Sequence, residues 1–162
     1  MKRNKKKSDN KGFSLVELII VIAIMAILSG ALAPQLIKYL DKSRKATDVQ
    51  TAQTIATAVN AALADEAAYN AIKAPVSGAT TVSYQVSTLN ASGADAFETA
   101  VYSVLGTIPK PKYKYGTGTN QFDDFIITLD ANKNFSIYTL VHGATSGATN
   151  DILYPSVGSN YK

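Results

Sequence analysis

The chain of 162 residues contains no cysteine and no tryptophan, and its 16 basic and 12 acidic side chains give a formal net charge of +4. The absence of cysteine excludes a disulfide scaffold, a thiolate metal site and a cysteine nucleophile. Six of the basic residues and one acid lie in the first 11 positions, so this end carries +5 and the remainder −1. A nearly neutral remainder excludes a protein that coats nucleic acid along its whole surface.

The first predicted element is a membrane-spanning helix. Residues 13–33 are apolar apart from Glu17 and two serines, and about 20 such residues suffice to cross a bilayer core of ~30 Å. The basic residues before this segment predict a cytoplasmic N-terminus and export of the chain beyond the helix. A buried core helix would need a larger domain around it. A cleaved secretory signal could end at residues 31–33, but Pro34 comes next and fixes the backbone where the peptidase needs an extended substrate.

Glu17 is the residue of this segment that indicates a function. An ionised carboxylate inside a membrane is costly unless it is paired. Proteolysis between Gly12 and Phe13 would create an α-ammonium group four residues before Glu17, on the same face of the helix. A carboxylate in the first turn also suits the helix dipole. The alternative is a glutamate that is tolerated near the membrane interface.

The string KGFSLVELIIVIAIMAILSGALAPQLIKYL closely resembles the N-terminus of type IV pilins, with a short basic leader ending in Gly12, then Phe13, Glu17 and Pro34. The resemblance implies that an aspartyl prepilin peptidase cuts between Gly12 and Phe13 on the cytoplasmic side and methylates the new N-terminus. It also implies that Glu17 directs assembly by neutralising the Phe13 ammonium group of a neighbouring subunit. The 12-residue leader is similar to that of the type IVa group. In its lack of cysteine, the chain resembles the major pilins of Gram-positive, particularly clostridial, bacteria.

The long helix is predicted to continue beyond the membrane segment, to about Tyr69. Gly30 and Pro34 predict a bend or a locally opened turn, because proline removes one backbone hydrogen bond and clashes with the preceding turn. A passive kink is the alternative. With residues 1–12 removed as a leader, we expect residues 13–33 to form the membrane or filament-core half of the helix and residues 34–72 its amphipathic half.

The amphipathic half begins with a basic cluster. This +3 cluster could lie against the head groups of the outer leaflet or pair with acids of neighbouring subunits, and a solvated helix face is the simplest interpretation. Its members are Lys38, Lys42, Arg44 and Lys45, around Asp41. Apolar residues from Val49 to Leu63 then recur at the spacing of an amphipathic helix, so we expect this face to pack on a sheet.

Residues 73–162 predict a small α/β head, which makes the whole chain an α+β protein. Alternation of apolar residues, helical spacing and turn residues mark the elements. They are a strand within residues 81–89, a helix over residues 97–105, a hairpin of residues 122–129 and 135–141, and a short strand around residues 152–154. A long helix packed on a small antiparallel sheet is also the fold that the resemblance to type IV pilins implies.

The candidate catalytic and metal-binding motifs are incomplete. His142 is the sole histidine and has no nucleophile motif near it. Asp123 and Asp124 are expected to flank a strand in solvent, because adjacent strand residues point to opposite faces. Residues 130–134 match the first half of a calcium loop but lack its turn glycine and bidentate glutamate, so they are interpreted as a turn. The sequence predicts no enzyme activity, no cofactor and no metal site.

A lysine–tyrosine strip, residues 109–116, could bind a polyanion. An extended conformation would present its lysines on one side and its tyrosines on the other, which suits phosphate attraction and base stacking. The alternative is an edge strand that lysines protect, with tyrosines packed inward. The residues concerned are Lys110, Lys112, Lys114, Tyr113 and Tyr115.

The resemblance implies a structural subunit of an extracellular type IV pilus. Such a subunit is held in the membrane by one span, cut by the prepilin peptidase, and polymerised with identical copies by an assembly platform and motor ATPases. Adhesion, motility, biofilm formation or DNA uptake would be properties of the fibre, which could contact DNA or host and abiotic surfaces. The rivals are a pseudopilin of a type II secretion or competence machine, and a single-span membrane protein with an exported binding or enzyme head.

Overall fold

The computed structural model describes residues 12–75, 79–90, 95–114, 121–141, 143–144, 147 and 151–162. The chain divides into two compact units, Met1–Leu40 and Asp41–Lys162. Helix α1, Leu15–Ala64, contributes to both units. Among the described residues, the second unit adds two α-helices and a four-stranded antiparallel sheet, so the predicted α+β class is confirmed.

The described part of the first unit is the apolar half of α1 and the residues just before it. Every residue from Gly12 to Leu40 is exposed. The helix continues through Gly30 and Pro34 without an interruption, although Pro34 has no N–H to donate to the carbonyl of Gly30. The bend at these two residues stays a prediction.

The second half of α1 is amphipathic, as predicted. Its buried residues share one face and are mostly small, which lets other elements approach the helix closely. They are Asp48, Ala52, Ile55, Ala56, Ala58, Val59 and Ala62. Another side of the helix carries a threonine stripe whose hydroxyl groups each donate to the carbonyl four residues earlier, at 2.9–3.2 Å. The stripe consists of Thr47, Thr51, Thr54 and Thr57.

The prediction of one helix as far as Tyr69 is wrong. Helix α1 ends at Ala64, and a separate short helix, α2, covers Glu66–Ala71. Asp65 lies between them in an extended conformation, and its side chain accepts a 2.9 Å hydrogen bond from the N–H of Ala68. The carboxylate thus caps a new helix, and this local bond competes with continuation of the first one.

The sheet is a meander in which each strand pairs with the next. Its strands are β1, Thr81–Gln85; β2, Phe122–Asp130; β3, Phe135–Val141; and β4, Ile152–Tyr154. The predicted hairpin and the last short strand are confirmed. The strand expected within residues 81–89 is shorter than predicted, because Val86–Thr88 form a 3-10 turn.

Capping residues define the remaining helix and the hairpin turn. Helix α3, Ala96–Leu105, begins after Asp95, whose side chain accepts from the N–H of Glu98 at 2.8 Å, and ends at Gly106 with φ 67°. In the hairpin, Asp130 Oδ1 accepts the N–H groups of Asn132 and Asn134 at 2.8 and 2.9 Å. These bonds confirm the interpretation of this loop as a turn.

The core of the second unit lies between α1, α3 and the sheet. Ile55 and Val59 of α1, Phe97 and Val101 of α3, and several residues of β2 and β3 are fully buried in one cluster. Three aromatic residues, Tyr113, Phe122 and Tyr161, form an aromatic group within this core. The ring centroids of Phe122 and Tyr161 lie 6.0 Å apart in a stacked arrangement, and those of Tyr113 and Tyr161 lie 5.6 Å apart in an edge-on arrangement. This core fixes the positions of the loop and helix side chains around it.

Candidate functional site

The first turn of α1 contains a hydrogen bond that orients Glu17. The N–H of Ser14 donates to Glu17 Oε2 at 2.9 Å, and the Ser14 carbonyl accepts from the N–H of Leu18 at 3.2 Å. A glutamate that reaches back to the backbone three residues earlier is one half of a capping box. Sequence reasoning missed this bond, although Ser14 followed by Glu17 ahead of an apolar run is its signature. Glu17 therefore satisfies a backbone donor in its own chain, and its carboxylate retains acceptor capacity.

Within the described residues, nothing covers the apolar half of α1. All seventeen large apolar side chains from Phe13 to Leu40 are exposed, and Phe13 itself is 94% exposed. Complete burial of such a set would be worth on the order of 25–50 kcal/mol. Within the described residues, α1 is the one helix long and apolar enough to cross a membrane. An exposed apolar surface of this size favours burial in lipid or against another protein surface.

The same segment matches a family model. The model for the prokaryotic N-terminal methylation motif covers residues 7–33, a range that includes Gly12, Phe13 and Glu17. This motif supports a type IV pilin-like prepilin. The α+β fold and the apolar helix near the N-terminus agree with this class and with membrane anchoring before assembly. No curated protein and no solved structure gives a significant match to this prepilin.

Some of the residues singled out in the sequence lie outside the described residues, and others are described and exposed. The leader residues 1–11, His142 and Tyr115 lie outside the described residues. Gly12 and Phe13, between which cleavage is predicted, are both exposed, and nothing lies within 4 Å of the position of a Cβ added to Gly12. Gly30 is likewise open at its Cβ position. Among the described residues, no group of three His, Asp or Glu side chains could hold a metal ion.

A buried carboxylate holds the lysine–tyrosine strip against α1. Asp48 is fully buried, with Oδ1 accepting the N–H of Lys112 at 2.6 Å and Oδ2 that of Tyr113 at 2.9 Å. The hydroxyl of Tyr161 also donates to Oδ2, at 3.5 Å. Burial raises the pKa of Asp48, and the hydrogen bonds from Lys112 and Tyr113 oppose that shift.

In its described residues, the strip does not form the edge strand that was the alternative to polyanion binding. Residues 109–114 form no strand, but Tyr113 does pack inward, against Phe122 and Tyr161. Lys45 Nζ lies 4.8 Å from the centroid of the Tyr113 ring, a cation–π distance. The Asp48 carboxylate, rather than a strand ladder, fixes the backbone of the strip in the prepilin.

The strip and the basic cluster of α1 together form a groove that sequence reasoning did not predict. The groove has a volume of about 530 Å³ and is lined by Ser43, Arg44, Thr47, Lys112 and Lys114. Lys110, by contrast, lines a different groove. The three lysines of the strip therefore do not act as one surface. Two of them join Arg44, which comes from a segment more than 60 residues earlier in the sequence.

The expectation that Asp124 lies in solvent is wrong. Asp124 is 6% exposed, and its carboxylate accepts hydrogen bonds from the backbone and hydroxyl of Ser87. A β-bulge makes Asp123 the extra residue between the pairs Phe122–Val141 and Asp124–Leu140. Because Val141 and Leu140 are adjacent on β3, the bulge places Phe122 and Asp124 on opposite faces of the sheet. Burial raises the pKa of Asp124, and the Ser87 hydroxyl acts in the opposite direction.

Proposed function

We propose that this prepilin is the structural subunit of an extracellular type IV pilus. In this proposal, prepilin peptidase cuts between Gly12 and Phe13 and methylates the Phe13 amine. Identical subunits then leave the membrane and polymerise through the apolar half of α1, with an assembly platform and motor ATPases as partners. The observation that carries the proposal is the fully exposed apolar helix with Glu17 in its first turn.

Polymerisation offers the apolar helix a cover that replaces lipid. Because the seventeen exposed apolar side chains lie on all sides of the helix, a neighbour on one side alone would leave much of this surface in water. A bundle of identical helices surrounds each copy and buries the whole set. A bundle of helices therefore compensates for the loss of lipid contact when the helix leaves the bilayer, whereas contact with one neighbour does not.

Glu17 gives such a bundle a defined register. A carboxylate buried among apolar helices is costly unless a cation pairs with it. The Phe13 ammonium group created by cleavage is a cation at this end of the helix, and a neighbouring copy would supply one to Glu17 when the two helices are staggered by about one turn. The bond from Ser14 to Glu17 Oε2 holds the carboxylate at this end of the helix, and a carboxylate can accept further hydrogen bonds.

Mass spectrometry of sheared surface fibres tests the proposal. We expect the fibres to contain this chain beginning at N-methylated Phe13. A chain that begins at Met1 or Pro34, or a preparation without fibres, would overturn the pilus assignment. Short periplasmic or cell-wall filaments with methylated Phe13 would instead identify a pseudopilus. Adhesion, motility, biofilm formation and DNA uptake are then tested on cells in which the chain has been deleted.

A further inference from the structure

Hydrogen bonds to the backbone of the strip hold one wall of the basic groove in the second unit. The Asp48 carboxylate binds the two successive N–H groups of Lys112 and Tyr113 at 2.6 and 2.9 Å. This contact places Lys112 and Lys114 beside Arg44, across a groove of about 530 Å³. Tyr113 points the other way, into the aromatic group.

The charge of this region is positive. Arg44, Lys45, Lys112 and Lys114 supply four positive charges. Asp41 Oδ1 lies 3.5 Å from Arg44 Nη1, and both side chains are about half exposed. The Asp48 carboxylate is buried behind the strip. Two negative charges therefore offset four positive ones, and the exposed rim favours an anion.

The position of the groove along the chain selects the kind of anion. Between Glu17 and Lys38 lie 20 uncharged residues, which is about the number that crosses a ~30 Å hydrocarbon core as a helix. Lys38 is then the first charge beyond the core, and Arg44 follows six residues later in the sequence. Basic residues that follow a membrane span so directly in the sequence are attracted by the negative surface potential of anionic lipids.

We propose that this groove binds the phosphate groups of anionic lipids at the outer face of the membrane while the subunit awaits assembly. The proposal rests on membrane anchoring of the prepilin and not on the filament. Long Lys and Arg side chains reach towards an interface while their stems lie along the protein. The groove thus adds a second, electrostatic contact with the membrane to the apolar helix, and this contact has to be broken when the subunit is extracted.

Footprinting of lysine amines on the full chain tests this contact. The chain is reconstituted into vesicles of phosphatidylcholine alone or of phosphatidylcholine with phosphatidylglycerol, and acetylation of each lysine is measured by mass spectrometry. We expect acetylation of Lys112 and Lys114 to slow about fivefold in the anionic vesicles, the factor that corresponds to the ~1 kcal/mol per basic residue near such a surface. Lys133 and Lys162, outside the groove, report the general effect of the anionic surface. Equal slowing of all four lysines would overturn the proposal.

Matched charge variants separate the groove from net charge. The triple variant Arg44→Gln, Lys112→Gln and Lys114→Gln should retain at least about fivefold less phosphatidylglycerol than the parent chain, as measured by native mass spectrometry after release from vesicles. The control Lys110→Gln, Lys133→Gln and Lys162→Gln removes the same charge elsewhere and should retain lipid as the parent does. Equal loss in both variants would show that only net charge matters and would refute a site.

Two further probes distinguish other anions. Inorganic phosphate added to phosphatidylcholine vesicles should leave acetylation of Lys112 and Lys114 unchanged, and so should a single-stranded oligonucleotide. Protection by phosphate alone, without an effect of phosphatidylglycerol, would identify a free-anion site and overturn the lipid proposal. Protection by the oligonucleotide alone would assign the groove to nucleic acid, with the same consequence. Either failure leaves the pilus assignment unaffected, because none of these measurements involves filaments.

Discussion

Replacing Asp48 by alanine should loosen the strip that completes the basic groove. The change removes the acceptor of two backbone N–H groups, those of Lys112 and Tyr113. An unsatisfied buried donor costs about 1–3 kcal/mol, and the low end applies here because Lys112 is exposed to water. The two donors together thus cost about 2 kcal/mol, and removing a desolvated carboxylate returns a part of this, so we expect the free energy of unfolding to fall by about 1–2 kcal/mol. Asp48→Asn keeps one acceptor and should cost roughly half as much.

Denaturation by guanidinium, monitored by near-ultraviolet circular dichroism, measures this change in the full chain. The signal is suitable because Tyr113 and Tyr161, which pack beside the strip, contribute to it. Asp41→Ala is the matched control, since it removes a carboxylate from the same helix. The described partner of Asp41 is Arg44, and a surface ion pair of this kind contributes less than about 1 kcal/mol to the free energy of unfolding. If Asp48→Ala unfolded at the same midpoint as Asp41→Ala, the carboxylate would not hold the strip and the reasoning would be wrong.

Three other results are expected. The raised pKa of Asp48 stabilises the folded state at pH values below the ordinary pKa of 3.8, and this contribution is lost as pH rises through the pKa of the folded state. The stability of the parent chain relative to Asp48→Asn should therefore fall with rising pH and level off above that pKa; a pH-independent difference contradicts this. Gly147→Ala should lower the free energy of unfolding by about 1–3 kcal/mol, because the added Cβ would overlap Tyr138, and an unchanged unfolding midpoint would contradict this close approach. Glu17→Ala should leave cleavage after Gly12 largely intact but abolish fibres on electron micrographs, whereas Glu66→Ala on short helix α2 should preserve them; normal fibres from Glu17→Ala would remove its role in assembly.

Local sequence patterns predicted most of the fold. Helix α3 could be recognised because its apolar spacing ends at Gly106, which adopts the positive φ that glycine tolerates. The β2–β3 hairpin could be recognised because Asp130 and Asn134 are turn residues, and the Asp130 carboxylate accepts hydrogen bonds from both the backbone N–H and the side-chain amide of Asn134. In both cases the deciding interactions lie within a few residues of each other.

Features that depend on distant partners could not be predicted in this way. The burial of Asp124 depends on a bulge at Asp123 and on Ser87, which is 37 residues away. The groove depends on contact between Asp48 and Lys112, which are 64 residues apart. No periodicity links such positions. The end of α1 before Asp65 was a different case, because an N-cap signal was present but the surrounding alanines favoured helix more strongly.

The threonine stripe of α1 affects how another surface could approach the helix. Each hydroxyl already donates to a carbonyl of its own helix, so covering the stripe would leave no side-chain donor without a partner. A neighbour could therefore dehydrate this side of α1 at little polar cost, and it would contact methyl groups more than hydroxyls. Such a contact tolerates sliding along the helix axis, because no hydrogen bond has to be exchanged as the two surfaces shift.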